Sequence, residues 1–218
     1  MTDHSPRSSA EPYAYQSPYA QASTRRPGRT NKTQLKLFEA ALLIMSEKGS
    51  IATTVDEVAE RAGVSKGTVY YNFGSKKTMV DQLLQYGAKL LISEIDKGRA
   101  QRDPREAIRL ACYSAFKYLE AHPGFARLWI SEVWKNPETW SPTMREVRLE
   151  LIGAIKDIID GIPLLYKVDT NQSTEAVAVA LFGAVFMLTM DREIHSSERA
   201  AEDATRTAML IIDGYISS

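Results

Sequence analysis

The residues from Thr54 to Phe73 are the ones whose types and spacing point to chemistry, and that chemistry is contact with nucleic acid. Thr54 and Glu57, three apart, form a capping box in which each side chain can satisfy a backbone amide at a helix start. Val55, Val58, Ala59 and Ala62 then make one apolar stripe, Gly63 stands where the chain must reverse, and Ser65 can cap a second helix. Ala59 is small where the two helices would cross, and Val64 and Val69 would fill the angle between them. Two short helices joined by a glycine turn are the arrangement whose second helix enters the DNA major groove.

With Val69 and Phe73 turned inward, the outer face of that second helix would present Lys66, Gly67, Thr68, Tyr70, Tyr71 and Asn72. These side chains are suited to base edges and phosphates. Gly67 costs about 1 kcal/mol against alanine in a helix but lets a backbone approach a duplex closely. Lys66, Lys76 and Lys77 fall in first helical turns, where a cation opposes the helix dipole by roughly 0.3–1 kcal/mol. A bound phosphate reverses that sign. Ordinary surface lysines and tyrosines are the alternative, but capping box, glycine turn and ill-placed cations coincide in one short segment.

Charge distribution agrees. The 218-residue chain carries 27 Lys+Arg and 27 Asp+Glu, yet residues 1–77 hold 11 cations against 7 acids and residues 78–218 hold 16 against 20. Between Pro12 and Phe38 lie Arg25, Arg26, Arg29, Lys32 and Lys36 and no acid. A basic front on an acidic body is expected where one part faces phosphate, although a solvated basic tail gives the same pattern.

Those residues need elements to hold them. Residues 1–28, rich in Ser, Pro, Ala, Gln and Tyr, are expected to be a disordered basic arm. From Thr33 the apolar period is helical: Leu35, Phe38, Leu42 and Met45 lead to a stop at Gly49. Helices follow over 54–62, 65–72 and 75–98, then near 104–121, 123–135, 142–162, 173–191 and 197–216, with Pro104, Pro123, Pro142 and Pro163 at boundaries. No segment alternates with period two. The expectation is an all-α chain of about nine helices, with a DNA-binding domain over 29–91 and a helical ligand-binding and dimerisation domain over 92–218.

Residues 33–84 resemble the DNA-binding domain of the TetR/AcrR family of bacterial transcriptional regulators. The resemblance rests on Thr53 through Tyr71, then Phe73 and Ser75-Lys76-Lys77. It implies backbone contacts from the first short helix with Thr53 and Thr54, base reading by Ser65 to Asn72, and a phosphate held by Lys76. Arg29, in an arm reading Arg26-Pro27-Gly28-Arg29, could reach a minor groove. The family usually has His where Asn72 stands, and Leu-Phe where Ile44-Met45 stands. The first departure bears on base preference, the second on core volume.

Beyond residue 95 only architecture follows from the resemblance. Tyr113, Phe116, Phe125, Trp129, Met144, Val147 and Leu151 lie on helical stripes facing a common core, and core packing accounts for any one of them. The resemblance adds the expectation that they line a pocket for an apolar or amphipathic small-molecule effector. Ala176 to Leu188 is apolar all round, so it needs cover on every side, from a partner subunit or from a fully internal position. The resemblance implies a homodimer closed by the last two helices, through Ala176, Ala180, Gly183, Ala184, Ala204, Ala208 and Ile211. A twofold dimer matches a palindromic operator.

Other classes are disfavoured. The lone Cys112 permits no internal disulfide, the N-terminus has no apolar leader segment, and the apolar run 176–188 is short of a ~20-residue membrane span. His4, His122 and His195 have no metal-ligand spacing, and His122 is expected to cap a helix. Neither a nucleophile elbow nor a phosphate-binding glycine loop is present. The reading is a cytoplasmic bacterial repressor on operator DNA, without cofactor, metal or membrane. Alternatives are an activator or partner-controlled regulator of the same fold, and, further off, an enzyme.

Overall fold

The computed structural model describes residues 32–194 and 201–216; the expected arm, Arg29 and His195 lie outside them. Helices α1 (Lys32–Ala52), α2 (Val55–Ala62), α3 (Lys66–Phe73) and α4 (Lys76–Ile95) are followed by α5 (Pro104–Ala121), α6 (Pro123–Val133) and α7 (Pro142–Ile159). A four-residue helix α8 (Ile162–Leu165), then α9 (Thr174–Ile194) and α10 (Ala201–Tyr215), complete the chain. Among the described residues there is no strand, only an isolated bridge between Val168 and Ile216.

Local chemistry sets the boundaries. Gly49, at φ 81°, interrupts α1 where the apolar period stops. Ser75 caps α4, Asp103 caps α5 and Ser141 caps α7, each accepting a hydrogen bond from a backbone amide. Prolines occupy the first turns of α5, α6 and α7, where a missing N–H costs nothing. His122 is the cap residue between α5 and α6, as expected, and its side chain meets the last turn of α5 instead of the first turn of α6. Its ring is buried, stacks on Tyr118 at 4.2 Å, and places Nδ1 2.7 Å from the Tyr118 carbonyl oxygen.

The helix-turn-helix head forms on Phe38 of α1, whose ring meets Phe73 of α3 at 5.5 Å and Tyr86 of α4 at 5.2 Å. Val58, Ala59 and Val69 are buried, while Val64, expected to fill the angle between α2 and α3 with Val69, is partly buried against the same core. The body packs α4 against α5 and α7, α5 against α10, and α9 against α7 and α10. Residue 91 marks no break. α4 runs unbroken to Ile95 and belongs to head and body alike.

Head and body meet where α1 crosses α6. A Cβ on Gly124 would stand 2.8 Å from the Leu42 carbonyl oxygen, so only glycine lets the two backbones approach this closely. Around the crossing, Arg127 donates to the Ser46 carbonyl at 2.6 Å and the Ser50 hydroxyl donates to Glu132 at 2.7 Å. On the neighbouring side the Tyr118 hydroxyl donates to the Gly87 carbonyl at 2.9 Å, and the Ser141 hydroxyl donates to Asp81 at 2.6 Å.

Gly124→Ala is expected to lower unfolding free energy by about 1–3 kcal/mol, because the crossing must open. Gly153→Ala, on α7 with open space around it, is expected to be neutral or to stabilise by up to about 1 kcal/mol. Urea unfolding read by circular dichroism separates them, and wild-type stability in Gly124→Ala contradicts the tight crossing.

Burial holds the His122 imidazole below its ordinary pKa, against a smaller opposing effect of its hydrogen bond to the Tyr118 backbone. The unfolded chain takes up a proton there near pH ~6.5 and the folded chain only at lower pH, so stability falls as pH drops below about 6.5. The melting temperature should fall on acidification to about pH 5.5, and fall less in His122→Asn. Identical slopes in the two proteins contradict this assignment.

Candidate nucleic-acid interface

The capping box at α2 forms in full. The Thr54 side chain accepts from the Glu57 amide at 3.3 Å, and Glu57 accepts from the Thr54 amide at 2.9 Å. The Glu57 carboxyl is held down at about 2, first by the Lys48 ammonium that donates to it and then by Thr54. Gly63 takes the left-handed conformation, φ 67° and ψ 37°, while its amide bonds back to Glu60 and that of Val64 to Ala59. Ser65 then opens α3, accepting from the Thr68 amide at 3.2 Å.

Val69 and Phe73 anchor α3 inward. Outward stand Lys66, Gly67, Tyr70 and Tyr71, with Thr68 and Asn72 half-buried beside them. Tyr71 is 91% exposed, an unusual position for a large ring unless something covers it. Asn72 donates from Nδ2 to the Thr68 carbonyl at 2.7 Å, which orients its amide and leaves Oδ1 as the acceptor. The Ser65 and Thr68 hydroxyls lie 2.9 Å apart, and Thr54 keeps its exposed place at the start of α2.

Two lysines are held by contacts that sequence spacing does not show. Lys66 reaches back to Asp56 on α2, with Nζ 2.8 Å from Oδ2. Lys76 donates to the Ile51 carbonyl at 2.6 Å, at the end of α1. Asp56 thus neutralises Lys66, and that pairing raises the lysine pKa. Both partners are exposed, so the pair is worth little in water. Thr53 is a correction. It is fully buried, its hydroxyl donating to the Gly49 carbonyl at 2.8 Å, and it closes the α1–α2 turn instead of facing outward.

The residues expected to line an effector pocket lie within the body. Phe116, Phe125, Trp129, Met144, Val147 and Leu151 are buried, and Tyr113 is half-buried. Trp129 packs edge-on to Phe182 and stacked on Phe186, both at 5.7 Å, which closes the space between α6 and α9. One cavity in this core, of about 20 Å³ and with room for about one water, is bordered by Leu91, Ile108, Cys112, Phe182 and Phe186. Met144 also borders a larger space, an open cleft between head and body. Cys112 faces the small cavity, its thiol pushed up to about 12 by burial.

The last two helices divide the expected interface residues. Ala176 and Ala180 are exposed, and Gly183, Ala184 and Ile211 are partly exposed. Ala204 and Ala208 are buried within the protomer, which corrects their placement on the outer face. Val179, Met187 and Leu210 are the exposed apolar residues that sequence reasoning missed. Ala176, Val179, Ala180, Gly183 and Met187 recur at three- and four-residue steps, so they form one stripe along α9. The stretch Thr174–Asp191, with mean hydropathy 1.6, is long and apolar enough to cross a membrane, contrary to the expectation of too short a run. Its Val177, Ala178, Leu181, Phe182, Val185 and Phe186 are nevertheless buried in the protein core.

Residues 37–83 match the family model of bacterial regulatory proteins, tetR family. The transcriptional repressor KstR2 of Mycobacterium tuberculosis is 32% identical over 99 residues, 45% of this chain and 50% of that protein. The regulator TtgR of Pseudomonas putida is 25% identical over 170 residues, covering 74% of this chain and 80% of its own. The chain therefore spans about half the length of KstR2 and four-fifths of TtgR in these matches. The transcriptional regulator FadR of Bacillus subtilis, solved with stearoyl-CoA, superimposes with a TM-score of 0.72 at 17% identity over 83% of this chain and 98% of its own. At that identity the likeness concerns the fold, a helix-turn-helix head on a helical body. Motif, fold and relatives converge on one likeness: residues 37–83 match the tetR family of bacterial regulatory proteins, and the chain is similar to transcriptional regulators beyond them.

Proposed function

We propose that the protein is a cytoplasmic transcriptional repressor that binds a palindromic operator as a homodimer and is released by an apolar or amphipathic small molecule. The observation that carries this reading is the outer face of α3, where Lys66, Gly67, Tyr70 and Tyr71 stand exposed on a helix anchored by Val69 and Phe73. Thr54, Ser65, Thr68, Asn72 and Lys76 flank it. In this reading Lys66 and Lys76 exchange Asp56 and the Ile51 carbonyl for phosphates, and Thr68, Tyr70 and Asn72 meet base edges. Arg29 joins from the arm.

The homodimer rests on the uncovered apolar stripe of α9, continued by Leu210 and Ile211 on α10. A second copy related by a twofold axis covers both stripes at once and sets two α3 helices facing the same way, as two half-sites need. Repression is supported by KstR2 being named a repressor, and response to a small molecule by FadR being solved with stearoyl-CoA, which are properties of those proteins.

Binding to a footprinted operator should weaken steeply with salt, since several phosphates are neutralised. Lys76→Ala should weaken binding to all duplexes alike, whereas Thr68→Ala or Tyr70→Ala should also reduce discrimination between operator and random duplex by about 1–3 kcal/mol. Wild-type discrimination in both α3 variants sinks the assignment of the reading face.

Gly183→Arg, or Leu210→Glu on the neighbouring helix, should yield a folded monomer in sedimentation that no longer retains a two-half-site operator. A dimer at wild-type strength in both variants places the interface elsewhere.

A further inference from the structure

A cleft of about 450 Å³ opens where head meets body, within the size range of small-molecule sites. One wall is the head: Ser50 and Ile51 at the end of α1, and Lys76, Lys77, Val80 and Asp81 at the start of α4. The other is the body: Glu132, Lys135, Trp140, Ser141 and Met144. Val80, Met144 and the half-buried Trp140 ring give it an apolar side.

Its charges are unequally engaged. Glu132 is taken by Lys135 at 2.6 Å and by the Ser50 hydroxyl, and Asp81 accepts from the Ser141 hydroxyl. Lys135 is thereby neutralised. Lys76 donates only to a backbone carbonyl, and Lys77 is exposed and makes no ion pair among the described residues. Two spare ammonium groups therefore stand beside an aromatic and aliphatic surface. That combination recognises an organic anion with an apolar body.

We infer that this cleft binds a small organic anion, a carboxylate or sulfonate carrying an apolar group, and that the anion and operator DNA exclude one another. The exclusion has two physical sources. Lys76 serves both ligands, as the proposed phosphate contact on one side and the anion contact on the other. The cleft also lies between head and body, bridged by the Ser50–Glu132 and Ser141–Asp81 hydrogen bonds, so an occupant that displaces either changes the angle at which α3 is presented. The coupling is reciprocal. It rests on the DNA-binding reading, while occupation of the cleft does not.

The test uses the full chain and the probe 8-anilinonaphthalene-1-sulfonate, an aromatic monoanion, titrated calorimetrically without DNA. Lys77→Gln and Trp140→Ala should each weaken probe binding roughly tenfold or more. Lys89→Gln, which removes an exposed cation elsewhere on α4, should leave it unchanged. In a second arm, Trp140→Ala without probe should hold a footprinted operator like wild type, and probe should release operator from wild type but not from this variant. Absent probe binding, or equal binding by wild type and both cleft variants, overturns the site. Site-specific binding that leaves operator retention untouched overturns the exclusion. Failure of wild type to retain operator without probe is a failure of the DNA-binding reading, recorded separately.

Discussion

The crossing of α1 over α6 at Gly124 is the constraint on which the arrangement depends. There the head's longest helix lies against the body with no side chain between the backbones. Because α4 also passes unbroken from head to body, the head is held at two places, and an orientation fixed at two places can be transmitted. Arg127 to Ser46, Ser50 to Glu132 and Ser141 to Asp81 cross the same junction as hydrogen bonds, which exchange partners more readily than packed glycine contacts do. The junction thus joins a fixed pivot to a polar side that can rearrange. A regulator needs both features, since a ligand shifts an equilibrium only as far as it discriminates between two arrangements.

The head itself is specified almost wholly by local rules. Capping residues start α2, α3 and α4, Gly63 turns the chain, and three aromatic rings on α1, α3 and α4 lock the result. Consistency at that level makes the exceptions informative. A 91%-exposed tyrosine and a glycine inside α3 contribute nothing evident to the free protein, and the lysines at the helix starts make only exposed contacts there. They make sense together against an anionic, groove-bearing partner.

Much of this was legible in the sequence because it depends on neighbours within four residues. Helix limits at Pro104, Pro123 and Pro142, the Thr54–Glu57 box and the break at Gly49 all follow from such contacts. What misled was long-range. Thr53 and Thr54 are adjacent and alike, yet one closes a turn and the other caps a helix. Ala204 and Ala208 share a stripe, but periodicity shows only that a stripe exists, and the packing of α10 turns it inward. The Lys66–Asp56 pair and the head–body cleft join segments far apart in the chain, where spacing carries no signal.

The central claim is that the face of α3, with its flanking caps, meets DNA. The most direct measurement is amide chemical-shift perturbation of the isotope-labelled chain on titration with a footprinted operator duplex. The account predicts that the largest changes fall within residues 65–77 and at Thr54, with smaller ones along α4. Changes confined to α9 and α10, or to the outer faces of α5 to α7, with residues 65–77 unmoved, would contradict it.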